Sequence, residues 1–419
     1  MWWTIHLDGG PRRVNHAAVA LGDAIYSFGG YCSGPNYDAD KDIDVFVLDT
    51  VTYRWYQITP RKARQAIIGT VSASKLQEEE EHTRLSGYDS DDVHPYTIAA
   101  ENPRYKSVPY QRYGHTVVAY DGKAYLWGGR NDQYGSSSDL HEYNPETRKW
   151  TSIPVKGTIP PARDGHTAVT FNDKMYIFGG FENSHRLYSN SVYAYSFATK
   201  TWEHLTPSGP APSHRDFHAS CILGNKMYIF GGRGDEQLTY QEMLDTYCDK
   251  LYALDLVNNE WEEVKAEGDR PSGRRSHSMW TYNGQLYLFG GYTSTNEKHF
   301  NDFYVFNPET KTWTRQKPVG QDPSPRRRQC SAVVGDRVFL FGGTTPEKDT
   351  QKLIDLADMY VLDYAVTLKT LAAKRVVEVF PKGVESLPYL GYRMNEFLVN
   401  IVRPNTITST ISPRANYFG

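Results

Sequence analysis

Six Gly-Gly doublets, at Gly29-Gly30, Gly128-Gly129, Gly179-Gly180, Gly231-Gly232, Gly290-Gly291 and Gly342-Gly343, each close a short apolar run. Thirteen residues before the first glycine of each doublet stands His16, His115, His166, His218, His277 and, in the last copy, Gln329. A spacing kept six times is the mark of a repeat architecture. Inside every interval two apolar runs flank Gly22-Asp23, Asp121-Gly122, Asn172-Asp173, Gly224-Asn225, Asn283-Gly284 or Gly335-Asp336. These residue types tolerate the positive φ of tight hairpin turns, so each interval is expected to be a β-hairpin. A third alternating run follows in most copies, and a tryptophan opens a fourth at Trp55, Trp150, Trp202, Trp261 and Trp313. From the last four of these to the next His or Gln is always 16 residues. A four-stranded antiparallel sheet cannot bury both faces alone. Six of them stacked radially make a β-propeller, and the expected fold is all-β and six-bladed.

The last copy lacks its tryptophan, while the chain begins Trp2-Trp3-Thr4-Ile5, much like Trp150-Thr-Ser-Ile153. The N-terminal strand is therefore expected to complete the sixth blade. Trp55 and His115 lie 60 residues apart, so residues 62–106 form an insertion, acidic and without apolar periodicity, expected to be largely disordered. The propeller is assigned to 1–364.

Charge and cysteine usage narrow the function classes. A formal charge of −3 excludes a basic nucleic-acid-binding arm. No run approaches the roughly 18 apolar residues of a membrane span. Four scattered cysteines without a Cys-x-x-Cys suggest neither a disulfide frame nor a zinc site, and point to a reducing compartment, cytoplasm or nucleus. No nucleophile elbow, phosphate-cradling loop or His-Glu-x-x-His occurs, so the chain is read as non-catalytic, with no cofactor and no metal.

In an antiparallel blade the loop before the inner strand and the loop after the doublet emerge on one face. Arg13, Arg112, Arg163, Arg215, Arg274 and Arg326 recur three residues before the His or Gln, which suggests a structural bridge between blades. Function should lie where blades differ. Arg233 and Arg275 are the candidates for gripping an anionic group on a short peptide, since guanidinium forks suit planar oxyanions. Arg130, Tyr113, Arg215, Phe217, Ser276, Tyr292, Arg327 and Arg328 are expected to form the rim.

From about 365 the period becomes helical: Leu368, Leu371, Ala372, Val376 and Val379, capped by Thr367, and a second stretch through Leu390, Met394, Phe397, Leu398 and Ile401 after Pro388. Residues 365–402 are assigned to this appendix and 403–419 to a flexible tail.

The doublets, tryptophans and spacings resemble the kelch repeat. Thr367-Leu368-x-x-x-Ala372-x-x-x-Val376 is similar to the Elongin C box of cullin-2 ubiquitin-ligase receptors, with Ala372 where the family has Cys, and Leu387-Pro388 resembles the start of the cullin-2 box. Together these features resemble the kelch receptors of C-terminal degrons. That resemblance implies substrate reception for a cullin-2–Elongin B/C ligase, with a terminal Gly carboxylate held by arginines. Arg233 matches the family arginine after a Gly-Gly, and Arg275 lies where a relative has Ser. The rival reading is a kelch scaffold for cytoskeletal or chromatin proteins. The chain's own end, Tyr417-Phe418-Gly419, is either an idle tail or a ligand for its own or a neighbour's pocket, a route to self-association.

Overall fold

The computed structural model describes residues 1–34, 37–58, 107–234, 246–348, 350, 352–380 and 391–407. The insertion 62–106, Leu387, Pro388 and Gly419 lie outside the described residues. In the first blade β2 (Ala17–Leu21), β3 (Ala24–Phe28), β4 (Val45–Asp49) and β5 (Arg54–Ile58) follow one another across an antiparallel sheet. The inner strands of the next five blades are Tyr113–Tyr120, Thr167–Phe171, Ala219–Leu223, Ser278–Tyr282 and Cys330–Val334. The second blade also has a third strand, Leu140–Asn144, which the sequence pattern had not marked. The N-terminal strand, β1 (Trp2–Leu7), pairs antiparallel with Met359–Asp363 as the outer strand of the sixth blade, with a bulge between Trp3 and Ile5.

The repeated residues are the ones that join blades. Each outer-strand tryptophan packs on the aromatic residue just before the doublet of the preceding blade. The pairs are Trp150 on Phe28, Trp202 on Trp127, Trp261 on Phe178, Trp313 on Phe230, Trp3 on Phe289 and Trp55 on Phe341, with ring centroids 5.1–5.9 Å apart. Such pairs add about 0.5–1.5 kcal/mol each beyond area burial. The second glycine of each doublet donates its N–H to the carbonyl of the recurring arginine one blade on. These bonds run Gly30 to Arg112, Gly129 to Arg163, Gly180 to Arg215, Gly232 to Arg274, Gly291 to Arg326 and Gly343 to Arg13, at 2.8–2.9 Å. Glycine is obligatory in so close an approach: a Cβ on Gly231 would lie 2.4 Å from the Arg274 carbonyl oxygen.

The recurring arginine does bridge blades, but through its main chain. Its side chain turns back into its own blade, where Nη1 of Arg112, Arg163, Arg215, Arg274 and Arg326 donates to the first glycine's carbonyl at 2.9–3.4 Å.

Two helices follow the sixth blade, α1 (Leu368–Val379) and α2 (Tyr392–Val402). Thr367 caps α1, its hydroxyl accepting the Thr370 N–H at 3.1 Å. Ala373, Leu398 and Ile401 join one core cluster with Ile5, Leu7, Trp55 and Phe341. The buried stripe of α1 therefore runs through Ala373, flanked by Val376 and Val377, while Leu368 and Ala372 of the expected stripe face out. The expected tail also begins too early: Asn405 is buried and hydrogen-bonded to the propeller. No helix among the described residues is long and apolar enough to cross a membrane.

Candidate binding face

In each blade the residue after the recurring arginine pairs with the residue after the doublet. The six pairs are Val14 with Tyr31, Tyr113 with Arg130, Asp164 with Phe181, Asp216 with Arg233, Arg275 with Tyr292 and Arg327 with Thr344. Both loop families thus meet on one face, side by side around the channel mouth. One residue further in, Asn15, Gly114, Gly165, Phe217, Ser276 and Arg328 all adopt positive φ. Their amides form a cycle: Asn15 donates to Arg328, Arg328 to Ser276, Ser276 to Phe217, Phe217 to Gly165, Gly165 to Gly114 and Gly114 to Asn15. The left-handed region is costly for a bulky residue, so Phe217 and Arg328 hold strained backbone at the mouth.

Below this cycle a cavity of about 160 Å³ is lined by the five recurring histidines and Gln329. Burial, and then the neighbouring arginines, push His16 and His277 down to about 3. His115 falls to about 3 by burial and the nearby Arg112, and His166 and His218 are lowered by the same causes. These are neutral packed rings. His166 stands edge-on to Trp127 with its Nε2 2.8 Å from the Thr116 hydroxyl. Among the described residues no group of three or more His, Cys, Asp or Glu side chains could hold a metal ion.

The arginines of the face differ in what they meet. Arg233 presents Nε and Nη2 to the Asp216 carboxylate at 3.2 and 2.9 Å, and its guanidinium carbon lies 5.7 Å from the Tyr188 ring and 5.9 Å from Phe217. Arg130 donates Nε to the Tyr113 hydroxyl at 2.8 Å, and that hydroxyl donates to Asp132. Arg275 and Arg327, from adjacent blades, converge on one ring, their guanidinium carbons 5.5 and 4.1 Å from the centroid of Tyr292. Both side chains are buried.

The profile of the KLHDC2/KLHL20/DRC7 Kelch-repeats domain matches residues 114–343, and that of the Kelch motif matches 12–62. Kelch domain-containing protein 3 of mouse and of human are each 40% identical to this chain over 410 residues, 96% of this chain and 98% of theirs. The chain belongs to the kelch-repeat family. Human host cell factor 2 is 31% identical over 255 residues, a stretch that covers 58% of this chain and 31% of that protein.

Among the kelch face residues singled out in the sequence, Arg275, Ser276, Tyr292, Arg327 and Arg328 fall together on blades five and six. Tyr113 and Arg130 lie across the channel on blade two, and Phe217 and Arg233 on blade four. Arg215 is not a rim residue: it is buried, with Nε on the Ser213 carbonyl, Nη1 on Gly231 and Nη2 on the Ser213 hydroxyl. Asp216 faces Arg233 directly. The register rule that pairs Asp216 with Arg233 was available in principle, since Tyr113 and Arg130 occupy the same two repeat positions. Of the helical residues, Leu368 is 85% exposed, Ala372 is exposed, and Val376 packs against the propeller core.

Proposed function

We propose that this kelch protein is the substrate receptor of a cullin-2–Elongin B/C ubiquitin ligase and binds protein ends that carry a terminal glycine. The observation that carries the reading is the convergence of Arg275 and Arg327 on Tyr292 beside the channel mouth. Two guanidinium groups at an aromatic wall suit a carboxylate at the end of a chain, and a terminal glycine brings no side chain to obstruct its approach. Arg233 joins the site from blade four, its Nε and Nη2 turned to the Asp216 carboxylate. Recruitment of the ligase is supported by the resemblance around Thr367-Leu368 and by Leu368 itself, a large apolar side chain left in solvent at the first turn of α1.

A peptide ending in a free glycine carboxylate is expected to bind at least about 30-fold more tightly than its amidated form, since leaving one side of a charge-assisted pair unmatched costs about 2–5 kcal/mol. Arg233→Ala, Arg275→Ala and Arg327→Ala should each erase most of that ratio in a titration. Equal affinity for both ends would overturn the reading.

Capture of purified Elongin B/C by the full chain should be lost in Leu368→Ala with an unchanged melting profile, because Leu368 contributes nothing to the core. Binding that survives this change, or is absent from the wild type, would leave the kelch scaffold reading in its place.

A further inference from the structure

The stretch leaving the outer strand of each of the second to fifth blades crosses to the next blade and lies parallel to that blade's rim. Lys156–Gly157 pairs with Thr201–Trp202, Ser208 with Glu260, Glu267–Gly268 with Thr312–Trp313, and Val319–Gly320 with Trp2–Trp3. A glycine presses on the next blade's tryptophan each time. A Cβ on Gly157, Gly209, Gly268 or Gly320 would stand 2.1–2.4 Å from the carbonyl oxygen of Trp202, Trp261, Trp313 or Trp3.

Between the sixth blade and the first this link is too short. Trp3 is followed by His16 after 13 residues, where Trp150, Trp202, Trp261 and Trp313 have 16 to the next His or Gln. The linker glycine is present as Gly9, at φ +81°, but its Cβ would stand 2.1 Å from the carbonyl oxygen of Asn405, not of Trp55. Asn405 lies between the two blades. Its N–H donates to the Asp8 carbonyl at 2.7 Å, and its Oδ1 accepts the Trp55 N–H at 3.2 Å. Arg54 ties the same segment down, donating to the carbonyls of Arg403 and Val399 at 2.8 and 3.3 Å.

We infer that the segment 403–405 is the missing inter-blade link, supplied from the far end of the chain, and that it clasps the ring where its two ends meet. The position is structurally sensitive. The cyclic hydrogen bond across this seam, Asn15 to Arg328, is the longest of the six at 3.2 Å against 2.8–2.9 Å elsewhere. The helical appendix is thereby an integral part of the propeller, and α2 and the channel mouth belong to one cooperative unit.

Hydrogen exchange of the full chain tests this. Asn405→Ala should raise exchange at least tenfold in β5 and β1, and leave the outer strand of the fourth blade, Glu260–Val264, at its wild-type rate. Gly9→Ala, nearly the whole sequence away, should give the same footprint by expelling the segment sterically. Leu368→Ala, on the same appendix but away from the seam, should give none. Asn405→Asp keeps the acceptor for the Trp55 N–H and should retain most of the protection, which separates loss of the clasp from general misfolding. Unchanged exchange in Asn405→Ala, or a rise spread evenly over all blades, would overturn the inference. So would a Gly9→Ala footprint that differs from that of Asn405→Ala.

Discussion

Lowering the pH from 7 to 5 is expected to remove most of the stability of this propeller. His16, His115, His166, His218 and His277 are held neutral in the folded chain, their pKa values depressed by burial and by arginines, with three of them at about 3. The unfolded chain protonates the same rings near 6.5. A depressed native pKa means stability that is complete above the unfolded value and is lost progressively as pH falls from about 6.5 towards 3. Near pH 5 the three rings at about 3 leave the unfolded state about three protons ahead of the native state, a slope of roughly 4 kcal/mol per pH unit, and His166 and His218 act in the same direction. Glu262 and Glu263, lowered by hydrogen bonds to lysines, act in the same direction only in the carboxylate range, so the histidine window stands apart. Urea unfolding at several pH values measures the slope. The sixth blade provides the control, since Gln329 occupies the histidine position and cannot take up a proton. Copying it as His277→Gln should lower the proton uptake on unfolding by one while the fold at pH 7 survives. A slope of one proton or fewer in the wild type would mean that the rings are charged or solvated in the native state.

How much of this could be read from the sequence depends on whether a residue's partner obeys the repeat. The tryptophans and doublets were legible because each meets its counterpart one blade away, so the same contact is written six times. The recurring arginines were legible as structural residues, but not the direction of their side chains, because a donor three residues before the histidine can reach either blade. Arg233 looked like an anion grip because the sequence places it after a doublet. That Asp216 fills its fork follows only from cross-strand register. In α1 the aliphatic residues form two overlapping stripes, through Ala372 or through Ala373. One residue is about 100° of helix rotation, and only the packing against Ile5 and Trp55 decides between them. Asn405 gave no signal at all, since its partners are Asp8 and Trp55 and nothing in its own neighbourhood repeats.

The division between structural and ligand-facing arginines is sharpest at Arg326 and Arg327, adjacent residues with opposite expected phenotypes. Arg326 is fully buried. Nη1 reaches the Gly342 carbonyl and one Asp358 oxygen, Nη2 reaches the other Asp358 oxygen and the Ser324 hydroxyl, and Nε reaches the Ser324 carbonyl. Arg326→Met keeps much of the apolar volume but strands a nearly buried carboxylate, and breaking a buried pair from one side costs about 3–5 kcal/mol. Adding Asp358→Asn to that variant removes the stranded charge, so the double variant should be more stable than Arg326→Met alone. An additive double variant would mean that the two side chains do not act as a pair. At Arg327 the guanidinium lies over the Tyr292 ring beside the channel mouth, and Arg327→Ala removes it from the binding face. Its effect should fall on peptide binding, which Arg326→Met leaves intact in whatever fraction of the protein stays folded. Successive residues of an extended chain point to opposite sides, and here one side is the blade's own framework and the other is the channel mouth.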